Sequence, residues 1–120
     1  MPVSNEQCVD QFFHFVNTRN LGRLEELLSD TAEFYFPKTR PLLGKKHIIR
    51  FFKILFRQYP ELKFQVLRKV VQGDISAIHW VNHGSNKKGD PYSNEGVTLL
   101  EMEENRIRWI SDFFKNTDKF

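Results

Sequence analysis

The chain is short of several things, and each shortage excludes something. It has one cysteine in 120 residues, Cys8, so no disulfide can form within it and a reducing compartment is the natural fit. No run approaches the roughly 18 apolar residues needed to cross a bilayer. The densest apolar stretch, Ile48 to Phe56, is interrupted by Arg50 and Lys53, and no membrane partner is expected. The opening MPVSNEQCVDQ lacks a basic segment followed by an apolar one, so no secretory leader is expected either. Internal repeats, low-complexity segments and phosphate-loop glycine spacings are missing as well. The expectation is one cytoplasmic domain over residues 1–120.

What is there is phenylalanine. The chain holds 12 Phe against 3 Tyr and 2 Trp, and hydrophobic residues make up 40% of it, enough for one ordered core. The net charge is only +3, but it is unevenly spread: Lys38 to Lys69 holds ten basic residues and a single acid, Glu61. A basic block can attract nucleic acid or another anionic partner. Here Lys46, Arg50, Lys53 and Arg57 fall on one stripe of a helix, while Phe52 and Tyr59 fall on its other face. Single-strand binding needs both groups on one surface, so the stripe reads as a solvated face with weak, salt-sensitive affinity and no specific nucleic-acid partner.

Val9, Phe12, Phe13 and Val16 recur at helical spacing from about Ser4 to Thr18, with Ser4 and Gln7 placed to form a capping box. Asn20 caps a second short helix whose stripe is Leu21, Leu24, Leu27 and Leu28. AEFYFP (32–37) is β-prone and stopped by Pro37, and TRPLLG reads as loop. Gly44 opens a third helix with Ile48, Phe52, Leu55 and Tyr59 on one face, ending before Pro60. The period then changes to two. KFQVLRKV, ISAIHWVNHG, YSNEGVTLLEME and RIRWISDFF are four strands joined by short connections, an antiparallel meander. Gly73, Gly84, Gly89 and Gly96 read as turn or bulge glycines. Helices first and a long sheet afterwards is an α+β arrangement.

The order of these pieces resembles a known family. NTRNLGRLEELLSDTAEFYFP is similar to the helix–helix–strand opening of nuclear transport factor 2-like proteins of the SnoaL-like group. Gly44 to Phe52 matches their G-x-x-x-I-x-x-F-F helix start. GDPYSN followed by ENRIRWISDFF resembles their last hairpin. The resemblance runs from about Val9 to Phe114. It implies a strongly curved antiparallel sheet wrapped as a cone around the N-terminal helices, a cystatin-like architecture, with an apolar pocket between the layers. It also implies a homodimer through the outer sheet face, where Val81, Leu99 and Trp109 would need cover.

The resemblance is specific for fold, and the fold hosts several chemistries. Ketosteroid isomerases of this group carry a helix tyrosine, a base before the first strand's proline and a second acid. The matching positions here are Phe12, Phe36 and Val97 or Thr98, so all three roles are vacant. Related epoxide hydrolases need an arginine and a second aspartate that SNEGVTLLEM does not offer. What remains is Asp112, which matches an aspartate of the final strand that faces the cavity in such proteins. Apolar surroundings would raise its pKa and let it move protons near neutrality. Trp80 shares a strand face with Ile78 and Asn82, and its indole N–H would seek a partner when buried. The expected pocket is Phe12, Phe36, Phe52, Ile78, Trp80, Asn82, Tyr92, Asn94 and Thr98, with Asp112 catalytic.

His79 and His83 lie about 13 Å apart along one strand, too far to share a metal. No metal and no cofactor is expected. Three readings stand: a cofactor-independent isomerase or cyclase acting on a small apolar or polycyclic molecule, a non-catalytic pocket for such a molecule, or an interaction module.

Overall fold

The structure is a computed structural model that describes residues 4–119. Helix α1 spans Asn5–Thr18, α2 Leu21–Leu27 and α3 Lys45–Gln58. The strands are β1 Leu28–Tyr35, β2 Leu42–Leu43, β3 Lys63–Gln72, β4 Ile75–Ser85, β5 Pro91–Glu103 and β6 Arg106–Phe114, with a 3₁₀ turn at Thr117–Lys119. They form one curved, unclosed sheet in the order β2-β1-β6-β5-β4-β3.

Local chemistry starts and stops the helices. Ser4 and Gln7 form the capping box of α1. The helix ends at Arg19, whose backbone is left-handed (φ 62°) and whose guanidinium reaches across to the carbonyls of Leu62 (2.6 Å) and Pro60 (3.0 Å). Asn17 then behaves as a short piece of strand. Its amide donates to the Phe64 carbonyl (2.9 Å) and accepts from the Phe64 N–H (2.8 Å), pinning α1 to the edge strand β3. Lys69 on β3 adds ion pairs to Asp10 (2.5 Å) and Glu6 (3.2 Å) of α1.

The meander β3–β6 is antiparallel. β1, however, pairs with β6 in parallel, so the sheet is mixed. Tight turns dictate the direction of strands that follow one another. The partner of β1 lies some 75 residues away and is selected by where the α3 crossover returns the chain. β1 also begins at Leu28, earlier than AEFYFP suggests, and Leu42–Leu43 of the expected loop form a short strand against Glu33 and Phe34.

The concave face holds the core. α1 packs on β3 and β4, α3 on β1 and β2, and α2 bridges the other helices. Phe12, Phe13, Phe34 and Phe52 are buried, and Phe36, Phe51, Phe56, Phe64 and Phe114 pack against them. Many of these rings meet edge-on or tilted with centroids 5–6 Å apart, as aromatic quadrupoles prefer. Cys8 lies inside this core, and burial pushes its thiol up to about 11, so it is an inert packing residue.

Candidate active site

Two rows of paired residues cross the sheet and build the site. In one row Ile78, Thr98 and Asp112 are Cα partners on β4, β5 and β6; in the next, Trp80, Gly96 and Phe114 are. All of these project toward the helices. Gly96 is not a turn or bulge glycine but a mid-strand one, and Gly84 likewise lies within β4, against the Leu62 backbone. A Cβ on Gly96 would stand 2.8 Å from the Trp80 ring and 2.4 Å from the Phe113 carbonyl oxygen. The missing side chain lets the indole lie flat across β5, held edge-to-face by Phe64 (4.9 Å) and Phe114 (5.0 Å).

That placement sets a directional hydrogen-bond chain. Trp80 Nε1 donates to Thr98 Oγ1 at 2.8 Å, and Thr98 Oγ1 donates to Asp112 Oδ1 at 2.6 Å. An indole N–H can only donate, so the Thr98 hydroxyl must accept from it and direct its one proton to the carboxyl. Thr98 is the carboxyl's one hydrogen-bond partner among the described residues. No cation among them offsets the burial. Desolvation therefore pushes Asp112 up to about 7, with the Thr98 bond pulling weakly the other way. Surface acids behave in the opposite sense. Lys45 at 2.9 Å holds Asp30 below the ordinary carboxylate range, and His79 at 2.7 Å does the same for Glu95.

Asp112 keeps part of its surface on an open groove of about 330 Å³, shared with Tyr35, Phe36, Pro37, Ser111, Phe113, Phe114 and Thr117. The carboxyl thus sits at a border, with an apolar, hydrogen-bonded environment inside and a groove outside. On the other side of Phe36 and Phe114, whose ring centroids are 5.1 Å apart, is an interior chamber of about 20 Å³. It is lined by Phe36, Leu55, Tyr59, Leu62, Phe64, Asn82, Tyr92 and Phe114.

The residues anticipated from the sequence divide into four sets. Phe36, Asn82 and Tyr92 line the chamber. Trp80 and Thr98 reach Asp112 through the hydrogen-bond chain. Phe12, Phe52 and Ile78 are core, 3%, 4% and 0% exposed. Asn94 ties down the C-terminal segment, donating to the Asn116 carbonyl (2.8 Å) and accepting from the Asn116 N–H (3.2 Å). Sequence reasoning missed Phe114, Phe64, Leu55, Tyr59 and Leu62. Phe114 shares a strand phase with Asp112, and Leu55 and Tyr59 share the helix face of Phe52, so periodicity carried the signal for those. Trp109 falls on the convex face beside Tyr35 (6.0 Å), in opposite phase to Asp112.

The basic stripe is also real. Lys46, Arg50, Lys53 and Arg57, with Ile49, Ile54 and Glu25, line a groove of about 550 Å³ on the outside of α3. It is remote from the Asp112 chain. Among the described residues there is no cluster of side chains able to hold a metal ion, and no helix is long and apolar enough to cross a membrane.

The model of the SnoaL-like domain matches residues 9–110. The chain belongs to the SnoaL-like domain family. No curated protein matches it in sequence. Solved structures share its fold at low identity. A nuclear transport factor 2-like protein of unknown function from Burkholderia pseudomallei is 15% identical with a TM-score of 0.89, over 98% of this chain and 95% of that one. A candidate polyketide cyclase from Xanthomonas campestris is 14% identical with a TM-score of 0.87, over 97% and 96%. A protein of ketosteroid isomerase-like fold from Catenulispora acidiphila, solved in complex with trimethylamine, is 17% identical with a TM-score of 0.81, over 88% and 83%. At such identities the likeness carries the fold, and the chemistry has to be argued from this chain's own residues.

Proposed function

We propose that this SnoaL-like protein binds a small apolar or polycyclic molecule and moves a proton on it through Asp112, without a cofactor, as an isomerase- or cyclase-type enzyme. The observation that carries this reading is the placement of Asp112: a carboxyl with no cationic partner among the described residues, brought near 7 by burial and oriented by the Trp80–Thr98 chain. An acid poised at the working pH can take a proton from carbon beside a carbonyl and return it elsewhere on the same molecule. The proton leaves the substrate, rests on Asp112 and goes back, so no oxidant or co-reactant is needed. Thr98 and Trp80 act as positioning residues: Thr98 bonds to the carboxyl, Trp80 bonds to Thr98, and neither acts on the substrate directly. The trimethylamine complex of the Catenulispora relative accords with a fold that can hold a small ligand. The same family likeness supports a homodimer through the convex face, where Phe113 is 56% and Val70 62% exposed.

A second reading, a non-catalytic binding module, is favoured by the size of the chamber. At about 20 Å³ it admits one small group and no polycyclic frame unless the Phe36–Phe114 pair moves. One experiment separates the two. Wild type and Asp112→Asn are incubated in deuterated water with a panel of cyclic ketones, and exchange at the α-carbon is followed by NMR, beside a carboxyl titration. Catalysed exchange by wild type alone, with Asp112 titrating near 7, is the expected result. Exchange by neither protein, with ligand binding retained, would establish the binding module instead.

A further inference from the structure

Among the described residues three buried side-chain atoms have no hydrogen-bond partner: Ser29 Oγ, Ser76 Oγ and Asn82 Oδ1. A serine hydroxyl can turn toward nearby backbone, whereas the Asn82 amide is bulkier, sits on a residue only 2% exposed, and presents a carbonyl oxygen that meets no donor. Of the three, Asn82 alone lines a cavity described above, and its neighbours there are aromatic and aliphatic side chains. A buried carbonyl oxygen without a donor is costly, and an apolar residue of similar size would avoid that cost. Its presence on the concave face needs a reason.

We infer that the chamber at Asn82 is a binding subsite for the donor-bearing end of a small apolar ligand, whose O–H or N–H is accepted by Asn82 Oδ1. The inference rests on the reading of the cone as a small-molecule pocket and adds the class of ligand. A space of about 20 Å³ holds one hydroxyl or amine and little more. The ligand's body must therefore lie further out, and the geometry says where. Tyr59 and Tyr92, with ring centroids 4.9 Å apart, wall both the chamber and an outer groove of about 660 Å³ bordered by His83, Asn86 and Ser93. Tyr59 caps the end of α3 and Tyr92 is the second residue of β5, so both rings stand at element ends where they can part without breaking the sheet. A planar apolar frame then lies between two tyrosines with its donor inward. Phe36 and Phe114 border both this chamber and the groove of Asp112, so the two spaces share a wall of two rings. A hydrocarbon or a purely accepting ligand of the same shape leaves Asn82 unpaired and binds less well.

Phenol and toluene are near-isosteric and differ in one donor. Their affinities for wild type and for Asn82→Leu are measured by NMR titration at saturating and subsaturating concentrations. Comparing the phenol-to-toluene ratio between the two proteins cancels the difference in hydrophobicity. The ratio is expected to fall roughly tenfold in the variant, the loss that one buried hydrogen bond implies. An equal ratio in both proteins, or failure of both compounds to bind wild type, overturns the subsite. If Asn82→Leu does not fold, wild type is read directly. Phenol is expected to give intermolecular contacts to the Tyr59 and Tyr92 rings and to shift the Asn82 side-chain amide, whereas toluene leaves that amide in place. Identical shifts from both compounds overturn it. The Asp112 titration in the same samples is independent: a value near 7 without discrimination at Asn82 loses the subsite and keeps the proton-transfer reading.

Discussion

Exchanging Asp112 for asparagine removes a proton site while keeping a planar side chain that still accepts from the Thr98 hydroxyl. In the folded protein burial pushes the carboxyl up to about 7, from the ordinary 3.8 that it keeps in the unfolded chain. Well below pH 3.8 both states hold the proton and the carboxyl imposes no ionisation cost. Between about 4 and 7 the unfolded chain releases its proton and the folded one does not, so wild-type stability falls as the pH rises. Above 7 both are ionised and the full cost is present, roughly 4 kcal/mol from that separation of pKa values. Asparagine never incurs it, but its amide hydrogens lack the acceptors they need, which offsets about 1–2 kcal/mol of the gain. The expected result is a variant more stable than wild type by about 2–3 kcal/mol at pH 8 and slightly less stable at pH 4. Urea denaturation of both proteins at half-unit steps from pH 4 to 8 measures it. Taking the difference cancels Asp30, Glu95 and the other carboxyls, which lie on the surface and are common to both. A difference that stays flat across this range refutes the reasoning. So does a variant that loses stability as the pH rises, the mark of a paired acid with a depressed pKa.

Three other expectations follow from the same geometry. Thr98→Val leaves the Trp80 N–H buried without an acceptor and removes the bond that pulls Asp112 down; it should cost about 2 kcal/mol and raise the Asp112 pKa further, read by denaturation and carboxyl titration. Gly96→Ala forces a methyl against the Trp80 ring and the Phe113 carbonyl, and a loss of about 3 kcal/mol with altered tryptophan fluorescence is expected; an unchanged melt would mean that β5 and β6 part easily there. If the convex face joins two copies, sedimentation at tens of micromolar gives a dimer, and Phe113→Lys gives a monomer with its fold intact.

Short-range order in the chain determined much of this protein. The Ser4–Gln7 box, the stripe of α3 and the two-residue alternation of β4 each depend on a few consecutive residues, so the sequence alone makes them legible. Alternation also placed Ile78, Trp80 and Asn82 on one face and Trp109 opposite Asp112. Register is different. A bulge between Glu101 and Met102 shifts the β5–β6 register by one residue, and only because of that shift does Thr98 come to lie beside Asp112. Gly96 looked like a turn glycine because its reason, a tryptophan ring from the next strand, lies 16 positions away in the chain. The parallel β1–β6 pair and the size of the chamber were equally hidden. Chamber volume is what remains after many phenylalanine rings fill the gap between helices and sheet, and a small change in that spacing would open or close it. The Asp112 carboxyl sits near 7 for the same reason: its energy is set by what surrounds it in space, and neighbours along RIRWISDFF do not specify those surroundings.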